Sequence, residues 1–330
     1  MFSDQHGRQL TYLRLAVTDR CNLRCTYCMP ERGMKFYPRD EILSYEEMLR
    51  LANIMARNGV DKVRITGGEP FVRKNLIHFL KELSGIDGIR KIGITTNGVL
   101  TQQYLPELIQ LGIKDINLSI DSINPVTFKE ITRKDVFESV EQSMNQMLRE
   151  GFNLKLNAVV LSGKNTHELH ELAGLAQEQR LEVRFIEEMP FNGSNKADVS
   201  AIHWNAERIA KHLREFYPEL TRQPGVPQDT AIIYEAPSFK GRVGIIPAFT
   251  RTICGGCNRI RVTADGTLKT CLYDQGKNNL KALLRNGYSD TEIEAHLKTA
   301  VLGKAKDGFE AQSRLRNGTQ ARESMSLIGG

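Results

Sequence analysis

The chain has 330 residues, 40% of them hydrophobic and 25% charged, with a formal net charge of +6. That is a globular composition, long enough for one large domain with an appendage or two ordinary domains. No apolar run approaches a membrane span, and so mild and dispersed a charge argues against DNA or RNA as partner while suiting a small anionic substrate.

The opening stretch, MFSDQHGRQL, is polar and lacks the apolar core of a secretory signal, so a cytoplasmic protein is expected. A strand is predicted over 12–18. A helix follows over 44–59, N-capped by Ser44, with Glu47 completing a capping box. Further strands are expected at 62–66, 91–96, 115–120, 153–160 and 182–187. Helical segments alternate with them at 75–84, 102–112, 124–132, 136–150 and 166–179, and another fits 205–216. Such a succession of β-then-α units predicts a parallel sheet with helical crossovers. Six units do not fill the eight of a complete barrel, so a partial barrel and an open sheet both fit. In either, functional residues gather at the C-terminal ends of strands. There lie Cys21–Cys28, Gly67–Pro70, Thr95–Gly98 and Ser119–Asp121.

After about residue 220 the texture changes. Residues 221–231 read as a loop or linker, followed by strand-like pieces at 231–235 and 242–246. Residues 259–270 read as a hairpin turning at Asp265-Gly266. Helices are expected at 278–286 and 290–301, and the last thirty residues are polar and poorly periodic. Two regions result, 1–220 and 221–330.

Six cysteines fall into two trios, Cys21, Cys25 and Cys28, and Cys254, Cys257 and Cys271, with none elsewhere. Clustered thiols in a reducing compartment point to metal rather than disulfides. Structural zinc and plain electron-transfer clusters want a fourth protein ligand. A four-iron cluster held by three thiolates leaves one iron open to a small molecule.

The spacing C-x3-C-x-Y-C, with Tyr27 inside it, resembles the signature of radical S-adenosylmethionine (SAM) enzymes. The segment TGGEP at 66–70 is similar to that superfamily's glycine-rich segment after its second strand. The second trio, with NRIR between Cys257 and Cys271, resembles the GTP 3′,8-cyclase family of molybdenum-cofactor biosynthesis. So do TDRCNLRCTYCMP, KVRITGGEP, TTNG, LSIDS, CNRIRVTADGTLKTCL and the terminal IGG, from about residue 11 to Gly330.

The resemblance implies an α/β fold: an incomplete (βα)6 TIM-type radical SAM barrel with a smaller α+β C-terminal region. It implies two [4Fe-4S] clusters, one held by Cys21, Cys25 and Cys28, the other by Cys254, Cys257 and Cys271. Tyr27, Gly68, Ser119 and Met189 would contact SAM. Arg14, Arg64, Thr95, Lys155, Arg259 and Arg261 would bind GTP, with Arg14, Arg259 and Arg261 as the catalytic set. The product would be (8S)-3′,8-cyclo-7,8-dihydroguanosine 5′-triphosphate, formed after hydrogen abstraction from the ribose C3′. A Gly329–Gly330 tail reaching toward the active site, a homodimer and a downstream cyclic pyranopterin monophosphate synthase complete the implication; the reductant goes unnamed.

Blander readings accompany these. Arg14 and Lys155 could face solvent, Met189 could be core, and Ser119 and Asp121 could cap the next helix. Only one of Thr95 and Thr96 can point inward if the strand alternates. His167 and His170 read as surface residues, and GRVG at 241–244 is no nucleotide loop. Another radical SAM maturase with an auxiliary cluster, or a zinc-binding adaptor, would be the competing functions.

Overall fold

Eight parallel strands, two more than the βα pattern announces, run side by side in the computed structural model, which describes residues 1–189, 204–226, 228–252, 254–276, 278–314 and 325–328. The expected six are present: β1 (Tyr12–Ala16), β2 (Lys62–Thr66), β3 (Lys91–Thr96), β4 (Asp115–Ser119), β5 (Asn153–Val160) and β6 (Glu182–Glu187), each hydrogen-bonded to the next.

The helices between them are α1 (Tyr45–Arg57), α2 (Leu76–Ser84), α3 (Leu105–Gln110), α4 (Pro125–Thr132), α5 (Phe137–Arg149) and α6 (Leu169–Glu178). The α1 capping box forms as expected, Ser44 Oγ accepting from Glu47 N at 3.2 Å and Glu47 Oε2 from Ser44 N at 2.7 Å. The segment expected as one helix over 102–112 begins as a 3-10 turn at Thr101–Tyr104, and the α-helix starts only at Leu105. Pro106 fits that first turn, where its missing N–H costs nothing. Helix α7 (Ala206–Phe216) follows β6.

The remaining strands come from the region after 220: β7 (Thr221–Arg222), β8 (Ile232–Glu235), β9 (Arg242–Ile246), β10 (Arg259–Val262), β11 (Thr267–Lys269) and β12 (Asn278–Asn279). β9 lies parallel beside β6, and β10 lies parallel beside β1. β9 and β10 do not pair with each other, so the sheet curls without closing: an incomplete barrel. The hairpin read from Asp265-Gly266 is β10–β11, with Gly266 at a φ of +84° that only glycine adopts cheaply. Helices α8 (Leu280–Arg285), α9 (Asp290–Leu302), α10 (Gly308–Ser313) and α11 (Met325–Ile328) finish the chain. The last two lie in the stretch that showed no periodicity. Helices of four and six residues span too few turns to print one. Gly329–Gly330 lie outside the described residues.

Alternation along each strand separates core from lumen. Residues such as Leu13, Leu15, Val63, Ile65, Leu154, Leu156, Val183 and Phe185 are buried in the apolar core, while their neighbours in sequence face inward. Among the described residues no helix is long and apolar enough to cross a membrane.

Candidate active site: a cationic lumen between two cysteine loops

The inward-facing residues line one cavity of about 740 Å³, and all six cysteines border it. The first trio follows β1. Its loop is moored to the end of α4 by Arg24 N to Thr132 O (3.0 Å) and Thr26 N to Ile131 O (2.9 Å), and by the Arg133 guanidinium on the carbonyls of Arg24 and Met29. Tyr27 donates to Asp121 Oδ2 at 2.9 Å, and Asp121 Oδ1 accepts from Val159 N at 2.8 Å. Asp121 therefore holds the cysteine loop to the barrel. The cap of α4 is Asn124, which disposes of the capping explanation for Ser119 and Asp121. Ser119 and Met189 line the cavity, Met189 with its sulfur 3.3 Å from the Tyr273 hydroxyl.

Gly67 and Gly68 are required by the protein's own backbone. A Cβ on Gly68 would sit 2.3 Å from the Arg20 carbonyl oxygen, and one on Gly67 2.4 Å from that of Thr18. This close approach locks TGGEP to the chain entering the cysteine loop, through Gly68 N to Thr18 O and Glu69 N to Arg20 O, both 2.8 Å.

The second trio lies at the opposite end of the barrel. Cys257 lies two residues before β10, whose first residue, Arg259, pairs with Tyr12 at the start of β1. Cys271 follows β11, which runs back toward that same end. The rule that function gathers at strand C-termini holds for the first trio and not for the second, because β10 enters the sheet parallel and so presents its preceding loop at the far end. Cys257 N bonds Cys254 O (3.1 Å), and Asp274 Oδ2 accepts from Cys271 N and Thr270 N at 2.8 and 2.9 Å.

The two trios differ electrostatically. Burial, with Glu69 behind it, pushes the Cys21 thiol up to about 12, and burial with Asp121 pushes Cys25 well above its ordinary value. Burial also raises Cys257, but Arg259 and Lys304 outweigh it and bring it down to about 6. Among the described residues no three His, Cys, Asp or Glu side chains converge closely enough for a single metal ion. Within each trio the thiols lie close enough to repel one another as anions, and three soft thiolate donors suit an iron–sulfur cluster.

Between the trios the wall is cationic. Register places Arg261, Arg14 and Arg64 in one row across β10, β1 and β2. Burial and then Arg261 bring Arg14 down to about 9; burial and then Arg259 bring Arg261 to about 10. Arg64 donates to Tyr12 Oη at 2.9 Å and to the Ile94 carbonyl at 3.0 Å. Its guanidinium lies over Gly93, where a Cβ would stand 2.7 Å from Nη2. Burial raises the Tyr12 phenol, but Arg64, Arg14 and Lys62 outweigh it and bring it down to about 7.

Lys155 also faces the lumen, brought down to about 8 by burial and Arg184. It is 3.7 Å from Glu182, which also pairs with Arg184 and with Arg242. Of the two threonines, Thr96 is committed to Glu69 and Thr101, both at 2.9 Å, while Thr95 Oγ1 is buried at the cavity with no hydrogen bond. Thr66 Oγ1, Asn117 Oδ1 and Asn157 Oδ1 are orphaned in the same way around the same cavity. Buried polar atoms without partners are costly, and a polar ligand removes the cost.

Among the described residues, the structure thus brings every sequence-predicted site residue to one cavity. Sequence reading missed Tyr12, Lys62, Asn117, Asn157, Arg184 and Arg242. Each sits two residues from a recognised one or at an alternate position of a recognised strand, so the period-two pattern was the signal that could have found them.

A partial parallel barrel with a three-cysteine loop after its first strand is the architecture of a radical SAM enzyme. Residues 15–176 match the Radical SAM superfamily, and residues 181–309 match Molybdenum Cofactor Synthesis C. A GTP 3′,8-cyclase of Desulforamulus reducens is 40% identical over 329 residues, covering 99% of both chains. A mitochondrial GTP 3′,8-cyclase of Arabidopsis thaliana is 37% identical over 92% of this chain and 78% of that one. The human molybdenum cofactor biosynthesis protein 1 is 37% identical over 96% of this chain, which spans about half the length of that relative. The chain belongs to the GTP 3′,8-cyclase family. The solved structure of Streptococcus suis SuiB shares the fold alone, with 14% identity, a TM-score of 0.57, and 88% of this chain and 68% of that one covered.

Proposed function

We propose that the protein converts GTP to (8S)-3′,8-cyclo-7,8-dihydroguanosine 5′-triphosphate, the first step of molybdopterin biosynthesis. The observation that carries this reading is the single cavity with a cysteine trio at each end and a cationic, polar-orphaned wall between them. Residues 1–220 would supply the six βα strands of the radical SAM barrel, and 221–330 would carry the second trio while lending β9 and β10 to the same sheet.

Cys21, Cys25 and Cys28 would hold one [4Fe-4S] cluster, and Cys254, Cys257 and Cys271 a second. When bound, the first cluster and SAM supply the 5′-deoxyadenosyl radical that takes hydrogen from the ribose C3′. Tyr27, Gly68 and Ser119 border the SAM end; Met189, which packs with Tyr273 and Cys271 beside the second trio, would reach SAM from across the cavity. Arg14, Arg64, Thr95, Lys155, Arg259 and Arg261 hold the nucleotide, the guanidinium groups gripping the triphosphate in charge-assisted, bidentate fashion. Ring closure between C3′ and C8 requires both ends of GTP to be fixed, and two anchored ends separated by a rigid sheet meet that requirement. Arg14, Arg259 and Arg261 are the catalytic residues of this reading, placed where charge on the reacting nucleotide needs a partner. Iron–sulfur clusters held by these cysteines would favour a reducing cytoplasm. The product would pass to a cyclic pyranopterin monophosphate synthase, and a homodimer is the assembly this reading carries.

The test is anaerobic incubation with SAM, dithionite and GTP. 5′-Deoxyadenosine should form with GTP, and not with ATP or a peptide. Turnover indifferent to GTP would defeat the assignment. Arg259→Ala and Arg261→Ala should keep iron and SAM binding while losing cyclisation.

A further inference from the structure

Lys304 follows α9 and is 2% exposed, yet it is outside the cavity lining. Its Nζ donates to two backbone carbonyls, that of Arg259 at 3.1 Å and that of Thr270. Arg259 lies two residues after Cys257, and Thr270 immediately precedes Cys271. One ammonium therefore bridges the two arms of the hairpin that carries these cysteines. Both partners are neutral carbonyls, so the bonds engage two of its three N–H groups without cancelling its charge. That charge is felt by Cys257 and Cys271 alike.

The same turn reaches the third cysteine by another route. Arg8, held by Asp4, donates to the carbonyls of Ala305 (2.6 Å), Lys306 (2.7 Å) and Cys254 (3.2 Å). Residues 304–306 are thus tied to the segments bearing all three thiols.

We propose that Lys304 is a positioning residue for the second trio: it fixes Cys257 against Cys271 and keeps an uncancelled positive charge beside the cluster they would bind, raising that cluster's reduction potential. The inference rests on the reading that the second trio holds a cluster. The physical ground is that reduction adds negative charge to the cluster, and a nearby fixed cation stabilises the reduced form; net charge and hydrogen bonding around the sulfurs are the protein's means of setting the potential. An ordinary structural lysine would tie the hairpin just as well, but its replacement by another donor would leave the potential alone.

Lys304→Gln separates the two, because an amide can still donate to a carbonyl but carries no charge. Lys304→Arg keeps the charge. Full-length protein, reconstituted anaerobically, is assayed for iron and titrated potentiometrically by EPR, the second cluster being the signal that responds to GTP and not to SAM. In Lys304→Gln the second cluster should shift to a more negative potential, the first should stay in place, and Lys304→Arg should return toward wild type. An unshifted second cluster, or equal shifts in both, overturns the proposal. Should Lys304→Gln fail to load the second cluster, Lys304→Arg decides: restored iron supports the proposal and unrestored iron overturns it. Wild-type protein with roughly four irons per chain rather than eight would instead sink the two-cluster reading, and this inference with it.

Discussion

Replacing Arg14 by methionine should make the protein more stable and worse at its work. Arg14 stands between Arg64 and Arg261 on neighbouring strands, and such strands lie about 4.8 Å apart. Guanidinium groups at that pitch repel one another, and an anion brought among them relieves the repulsion. The effect is visible in Arg14 itself, which burial, then Arg261 and Arg64, bring down to about 9 against the opposing pull of Tyr12. At about 1.4 kcal/mol per tenfold change in acidity, this amounts to roughly 5 kcal/mol. Water in a cavity of this size screens the charges, so about 2 kcal/mol is the working figure. Arg14→Met keeps most of the bulk and removes the charge. The ligand-free variant should melt on the order of 4 °C higher than the parent. Its GTP dissociation constant should rise roughly 10- to 150-fold, the loss of a charge-assisted bond of about 1.5–3 kcal/mol. Anaerobic thermal melts with and without GTP, together with equilibrium dialysis, read both quantities. A variant that melts lower than the parent and binds GTP as tightly would show that Arg14 is a structural tie, and the argument from repulsion would fall.

Cys271→Ser should lower the iron content from roughly eight to four per chain and abolish cyclisation while SAM still binds, as iron analysis and SAM titration would register. Lys155 loses its proton as pH rises through about 8, so GTP affinity should weaken between about pH 7.5 and 9.5. Lys155→Met should show weak binding at every pH and no step near 8, by equilibrium dialysis across that range. Gly68→Ala forces a Cβ against the Arg20 carbonyl. It should cost about 1–3 kcal/mol in denaturant unfolding and impair SAM binding, whereas the same change at Gly163, where nothing lies near, should leave SAM binding intact. Ser44→Ala removes a capping box far from the lumen and should cost about 1 kcal/mol with unchanged activity.

Much of this architecture was legible because it is written locally. The α1 capping box, the Asp265-Gly266 turn and the six β-then-α units all depend on residues a few positions apart. The lumen was legible where a motif drew attention to it. Arg184 and Arg242 were passed over because a single arginine in a strand looks like a surface group. Only the pairing of β5, β6 and β9 shows that both converge with Lys155 on Glu182. Gly93 carries no signal at all in the sequence. Its role is to leave space for a side chain on the neighbouring strand. Lys304 is equally silent, since its partners are carbonyls 34 and 45 positions away. Long-range pairing decided these residues, and a local pattern cannot report it.

The strand that fixes the relation of the two trios is β10. Had it joined β1 antiparallel, Cys257 would lie at the same end of the sheet as Cys21, and the two loops would crowd one mouth. Entering parallel, it carries Cys257 to the far end, and the return through β11 brings Cys271 to meet it. A five-residue strand rising about 3.3 Å per residue then separates the loops by a distance on the order of 15 Å. That interval is lined by the Arg261–Arg14–Arg64 row and by the orphaned Thr95, Asn117 and Asn157 oxygens. Under the proposed function, a nucleotide would lie along that interval with its triphosphate on the arginines and its base toward one trio. On that reading, strand direction would set the orientation of the substrate, and the cations on β1, β2 and β10 lie in the row that could exploit it.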